Sequence, residues 1–194
     1  MMRKYSTLDQ LLDRIEEPNR SQCYTFLEKN REILQAARGG KSKHQAWDGG
    51  YLDHISEVMN IAVVLYDAFQ RTGRPLPFEL SDALLVLFLH DVDKPWRYVQ
   101  EGDLIREREE MNTKEKRDAF TEQKVQEYGF QLTDAHHNAL SYVEGEVKDY
   151  NPDKRLQQPL AAFCHLCDTT SARIWFDYPL AEDDPWRGAR RGRF

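Results

Sequence analysis

The chain has 194 residues, of which 40% are hydrophobic and 31% charged, and its formal net charge is −6. At about 150 residues per domain this is one domain with a core of its own, independent of disulfides or a structural metal. The acidic balance excludes a broad basic face for gripping nucleic acid, and the longest apolar run, Ala83 to Leu89, is far short of a membrane span.

Helical spacing of apolar residues dominates the chain from its start. Thr7 to Glu17 reads as a short amphipathic segment stopped by Pro18, and Ser21 as the N-cap of a helix through Ala37 that Gly39 and Gly40 end. Gly50 to Thr72 carries Leu52, Ile55, Val58, Met59, Ala62, Val63 and Tyr66 in steps of three and four, the mark of one buried face, with Gly73 as its C-terminal glycine. After Pro75 and Pro77, Ser81 is placed to cap an apolar helix from Ala83 to His90, buried on all sides. Asp103 to Tyr128 is charge-rich and reads as a solvated helical region ended by Gly129. Thr133 opens a further helix to about Glu144, and Val147 to Gln158 reads as loop. Pro159, suited to a first helical turn, opens the last helix to about Trp175. The expected fold class is all-α and single-domain: N-terminal helices over 1–40, a core over 41–177 and a basic tail over 178–194.

The three cysteines, Cys23, Cys164 and Cys167, are odd in number, and Met1 to Ile15 lacks the apolar core of a secretory signal. Both features predict a reducing, cytoplasmic location. Cys164 and Cys167 form a single C-x-x-C, half of a zinc set, and read as buried apolar thiols.

The six histidines carry more information than their number. His90 and Asp91 stand together at the end of the most apolar helix, which puts a nitrogen and an oxygen donor near one point. Such donors suit Mn, Fe, Co, Ni or Zn, whereas Mg takes mainly oxygen. His54 is in register with the buried face of the long helix. Asp168 falls inside an apolar helix, where a carboxylate needs a cation. Lys94 places a positive charge beside His90-Asp91.

The segments Gly49-Gly50-Tyr51-Leu52-Asp53-His54, His90-Asp91-Val92-Asp93-Lys94 and His165-Leu166-Cys167-Asp168 resemble the H…HD…D signature of the HD-domain metal-dependent phosphohydrolases. The resemblance runs from about His44 to Arg173. It is nearest to the HD part of bacterial 3′-to-5′ exoribonuclease-like proteins, in which a histidine also precedes the Gly-Gly segment; their nucleic-acid-binding β-barrel has no counterpart here. The resemblance implies an HD-type helical bundle with His54, His90, Asp91 and Asp168 as ligands of one divalent metal (Mn, Co, Ni, Mg, Fe or Zn). It implies hydrolysis of a phosphomonoester or phosphodiester by metal-activated water, with Asp91, Lys94 and His137 as the catalytic group. His137-Asn138-Ala139-Leu140-Ser141 matches the family's His-x-x-Leu-Ser, but Tyr142-Val143 stands where a His-His pair would bring a second metal.

His44, Lys94, Arg97 and Arg173 are the expected contacts to substrate, a small phosphorylated molecule of nucleotide type. Nucleic acid enters only as a short substrate, and no membrane partner is expected. His136 is one helical step, about 100°, from His137, so the two point to different places. His165 shares a helix face with Asp168, and Trp96 follows Lys94 closely enough to be a candidate for base stacking. All the acidic residues precede Arg187, whereas Arg187, Arg190, Arg191 and Arg193 crowd the end, so an anion must be drawn in locally. Two other readings stay open: a binuclear iron oxygenase of HD type, and a non-catalytic HD-fold binding or regulatory module.

Overall fold

The computed structural model describes residues 4–101, 104–146, 149–177 and 184–189. It is mostly helical, with one two-stranded hairpin. Helices α1 (Leu8–Leu12), α2 (Asn19–Lys29) and α3 (Arg31–Ala36) precede the long α4 (Gly50–Gln70) and the apolar α5 (Leu80–Leu89). A short α6 (Lys94–Arg97) leads into strands β1 (Tyr98–Glu101) and β2 (Leu104–Glu107). Then come α7 (Lys114–Tyr128), α8 (Asp134–Tyr142) and α9 (Pro159–Thr169), the last continuing into a π-turn over Thr170–Ile174.

Helices α4, α5 and α9 pack on one another and form the centre, with α8 against α5 and α9, and α1 and α3 against α4. The reason lies in α5, whose residues Ala83 to Leu89 are all buried. An element apolar on every side must be surrounded. Each large aliphatic side chain in it contributes about 1.5–3 kcal/mol of burial. α7 is the opposite case: among its charged residues only Val125 and Tyr128 are buried. Thr113 caps it through Lys116 N–H, and Gly129, at φ 70°, closes it.

Several local expectations change. The segment from Ser21 to Ala37 is two helices, broken at Asn30 with φ −115°. The first of them starts at Asn19, so Ser21 lies inside it. There Glu17 accepts from both the Ser21 hydroxyl (2.8 Å) and its N–H (3.2 Å), taking over the capping role. Ser81 does not cap α5 either. Glu79 and Asp82 form a capping box, and the Ser81 hydroxyl instead accepts from Glu16 N–H at 2.8 Å, tying α5 to the N-terminal helices. The hairpin is the larger departure, since the region from Asp103 reads as helical. Antiparallel pairing of Val99 with Arg106 shows a period of two that the surrounding charge hides.

The tail is described only at 184–189, and that piece is packed. Tyr5 N–H donates to Arg187 O at 2.9 Å, and the Trp186 ring meets Tyr5 and Trp175 edge-on. Arg190, Arg191 and Arg193 lie outside the described residues. No helix is long and apolar enough to cross a membrane among the described residues.

Candidate metal centre

The N-terminal part of α4 and the C-terminal ends of α5 and α9 converge on one point. His54 comes from α4, His90 is the C-cap of α5, Asp91 begins the turn after it and Asp168 sits near the end of α9. His54 Nε2 lies 3.3 Å from His90 Nε2, 3.4 Å from Asp91 Oδ2 and 3.1 Å from Asp168 Oδ1. His90 Nε2 lies 3.2 Å from Asp91 Oδ2 and 3.7 Å from Asp168 Oδ1. Donors held about 2.1 Å from one ion stand about 3.0–3.4 Å apart, so the distances around His54 Nε2 are those of a ligand shell, whereas His90 to Asp168 is longer and Asp91 reaches the set only from the side of the two histidines. Among the described residues, His54, His90 and Asp168 form the one group of three such donors close enough to hold an ion.

The histidine tautomers are held from behind. His90 Nδ1–H donates to Leu87 O at 2.8 Å, which turns Nε2 toward the cluster. His54 Nδ1 lies 3.2 Å from Ser171 Oγ, in the π-turn. Burial works against charge throughout, and the pairing overcomes it. Asp91 and Asp168 are pushed up by desolvation, yet His90 with Lys94 holds the first, and His54 with His90 the second, well below the usual carboxylate range. Burial also works against a charged His90, but the carboxylates Asp91 and Asp168 raise its pKa to about 10. The pair of carboxylates thus demands a cation, supplied without metal by the His90 proton and by Lys94.

Lys94 forms an ion pair with Asp91 Oδ2 at the start of α6 and lies 3.4 Å from His44 Nε2. The His44 ring in turn lies 5.4 Å from that of His54. Burial, and then Lys94, lower the His44 pKa to about 4, so this imidazole is neutral and available as an acceptor. The loop that carries it depends on the Gly-Gly pair. Gly49 adopts φ 80°, and a Cβ on Gly50 would stand 1.9 Å from Gln45 O. Only glycine lets the loop lie this close to the start of α4.

In front of the cluster opens a cleft of about 380 Å³, walled by His90, Asp91, Asp93, Arg97, Arg117 and His137, among others. His137 is exposed to it from α8. Arg97 faces it with its guanidinium 2.6 Å from Glu107 Oε1 on β2. Asp93 is buried, and desolvation followed by Asp91 raises its pKa to about 6. Lys114 and Arg117, from α7, are cations of this wall that sequence reasoning passed over, because α7 reads as an ordinary solvated face.

The remaining candidates stand elsewhere. His136 is buried and structural: its Nδ1 accepts from Thr133 N–H at 3.0 Å, and its Nε2 donates to Asp82 Oδ1 at 3.0 Å, joining α8 to α5. His165 turns away from the cluster, donating from Nδ1 to Val143 O at 2.6 Å. Arg173 is exposed on the π-turn, outside the cleft wall. Trp96 packs between Phe26 and Phe120 under Lys124, as an aromatic core rather than a stacking platform. Cys164 and Cys167 are buried free thiols, pushed up in pKa chiefly by desolvation.

Comparison with protein families, with curated proteins and with solved structures gives no match to this chain. The chemistry of the donor set itself fits a metal: two imidazole nitrogens and two carboxylate oxygens suit Mn, Fe, Co, Ni or Zn. Asp91 Oδ2, buried and facing the Lys94 ammonium and both histidine Nε2 atoms, is the carboxylate oxygen that such an ion would share.

Proposed function

We propose that the protein is a metal-dependent phosphohydrolase of HD type, acting on the phosphate ester of a nucleotide or short oligonucleotide. The observation that carries the reading is the convergence of His54, His90 and Asp168 on one point, with Asp91 Oδ2 within 3.4 Å of both histidines, beside a largely buried lysine and an open cleft. These four residues would hold one divalent cation. When bound, it supplies Lewis acidity to a phosphoryl oxygen and lowers the pKa of water into the neutral range.

The chain's own residues account for the rest. Lys94, paired with Asp91, places a fixed positive charge where negative charge grows on the phosphoryl group. His44, neutral and next to Lys94, accepts a hydrogen bond at the same edge. His137 on the far wall of the cleft donates a proton from its imidazole to the departing oxygen. Arg97 and Arg117 hold the rest of an anionic substrate against that wall.

The test is metal analysis and hydrolysis of nucleotides, short RNA and a generic phosphodiester with Mn, Co, Ni, Mg, Fe or Zn. The expected result is about one equivalent of metal per chain, with turnover lost on chelation and in Asp168→Asn. Turnover indifferent to both would overturn the reading, as would two irons per chain.

A further inference from the structure

The side of His54 that faces away from the cleft is sealed by a chain of buried polar groups. Ser171 Oγ, 3.2 Å from His54 Nδ1, lies 2.5 Å from Glu57 Oε2 and 3.2 Å from Gln45 Nε2. Gln45 Nε2 also donates to Glu57 Oε2 at 3.0 Å. Gln45, His54 and Ser171 are fully buried and Glu57 is 2% exposed. With Glu57 Oε2 as an acceptor, any proton of that carboxyl lying on Oε1, the donors and acceptors take one consistent direction. Gln45 has only N–H to give at Nε2, so the serine oxygen accepts from it and gives its own proton to Glu57. The serine's second lone pair is then the acceptor for His54 Nδ1–H.

Two features of the backbone serve this arrangement. The chain leaves α-helical register in the π-turn, where Trp175 N–H reaches back five residues to Thr170 O at 3.2 Å. At its start, Asp168 and Ser171, one turn apart, reach the two different ring nitrogens of His54, at 3.1 and 3.2 Å. π-turns of this kind are rare and concentrate at functional sites. The second feature is Gln45, whose φ of 39° is a left-handed conformation that costs a non-glycine residue about 1–2 kcal/mol. Its backbone is fixed on both sides, N–H to Phe176 O and O from Gly39 N–H, both at 3.0 Å. These two backbone bonds and the side-chain network hold the strained conformation in place.

We infer that Ser171, backed by Glu57 and Gln45, is a positioning residue that fixes His54 as its Nδ1–H tautomer and so keeps the Nε2 lone pair aimed at the metal. This rests on the reading of His54 as a metal ligand. Residues behind a ligating histidine typically change metal affinity by about 10–100-fold when removed.

The test uses the full-length protein and two independent readouts. Nitrogen-15 NMR of the metal-free protein is expected to show a His54 Nδ1–H that is protected from solvent exchange. Calorimetric titration with Mn²⁺ or Zn²⁺ is expected to give a Kd about 10–100-fold weaker in Ser171→Ala. Glu57→Gln, whose amide oxygen still accepts the serine proton, is expected to keep the protected Nδ1–H and most of the affinity. Circular dichroism verifies that each variant is folded. If Ser171→Ala unfolds the chain, the Nδ1–H signal of the wild type decides alone. A wild-type His54 protonated only at Nε2, or a folded Ser171→Ala with unchanged Kd, overturns the inference. A protected Nδ1–H in a wild type that binds no metal would instead overturn the metal-centre reading and leave the tautomer lock standing.

Discussion

His54 and His90 divide the centre of the molecule into two faces of opposite character. Behind them, Ser171, Glu57, Gln45 and the Leu87 carbonyl form a dry backing in which each partner has an assigned role. In front, the cleft sets Asp93, Arg97, Arg117 and His137 around open volume. The difference separates two tasks. A buried network orients the two imidazole rings, whereas an open polar wall leaves room for something that comes and goes.

Substitutions on the shared plane, the back and the front should therefore fail in different ways. Asp91→Asn, on the plane between the faces, is expected to have the largest effect. Metal binding should be lost and turnover should fall by about a thousandfold or more, measured by metal analysis and steady-state kinetics. At the back, Gly50→Ala forces a Cβ into the Gln45 carbonyl and should displace the loop bearing His44 and Gln45. A loss of about 1–3 kcal/mol in denaturant unfolding is expected, together with weaker metal affinity. At the front, His137→Ala should lower kcat by about 10–100-fold while leaving metal Kd unchanged; a changed Kd would blur the two faces.

A smaller effect concerns pH. Burial raises the Glu57 pKa from the ordinary 4.5 to about 8, so the folded chain binds a proton there that the unfolded chain releases. Stability should then decline as pH rises from about 4.5 to 8, by up to about 1.4 kcal/mol per unit from this group. Denaturant unfolding across that window should show the decline in the wild type and a shallower one in Glu57→Gln. Arg173→Ala, at an exposed position outside both faces, should change stability and turnover least, within about 0.5 kcal/mol and twofold.

The front and the back were unequally legible. The apolar spacing of α4, α5 and α9 announces buried helices, and a histidine, an aspartate or a His-Asp pair set into such helices stands out because apolar surroundings make polar donors conspicuous. His54, His90, Asp91 and Asp168 were visible for that reason. Gln45 and Ser171 were not, because a glutamine in a loop and a serine near a helix end are ordinary, and their burial comes from contacts distant in sequence. Glu57 was hidden by its own neighbours, since a single acid on a long amphipathic helix reads as its wet side. The capping assignments failed at Ser21 and Ser81 for a related reason. Their hydroxyls had better partners in Glu17 and in Glu16 N–H, one local and one distant in sequence. The hairpin after α6 was missed because its alternation is short and flanked by charge.

The π-turn has a consequence for how this chain tolerates changes of length. Asp168 and Ser171 must stay three positions apart to reach both nitrogens of His54. Loss of Thr170 alone would put Ala172 at the serine's place and leave Glu57 facing a methyl group. Every residue that matters would still be in the protein, yet the histidine would have lost its backing. For this stretch, one codon more or less is the harsher change, and a family of related chains should vary in residue identity here long before it varies in number.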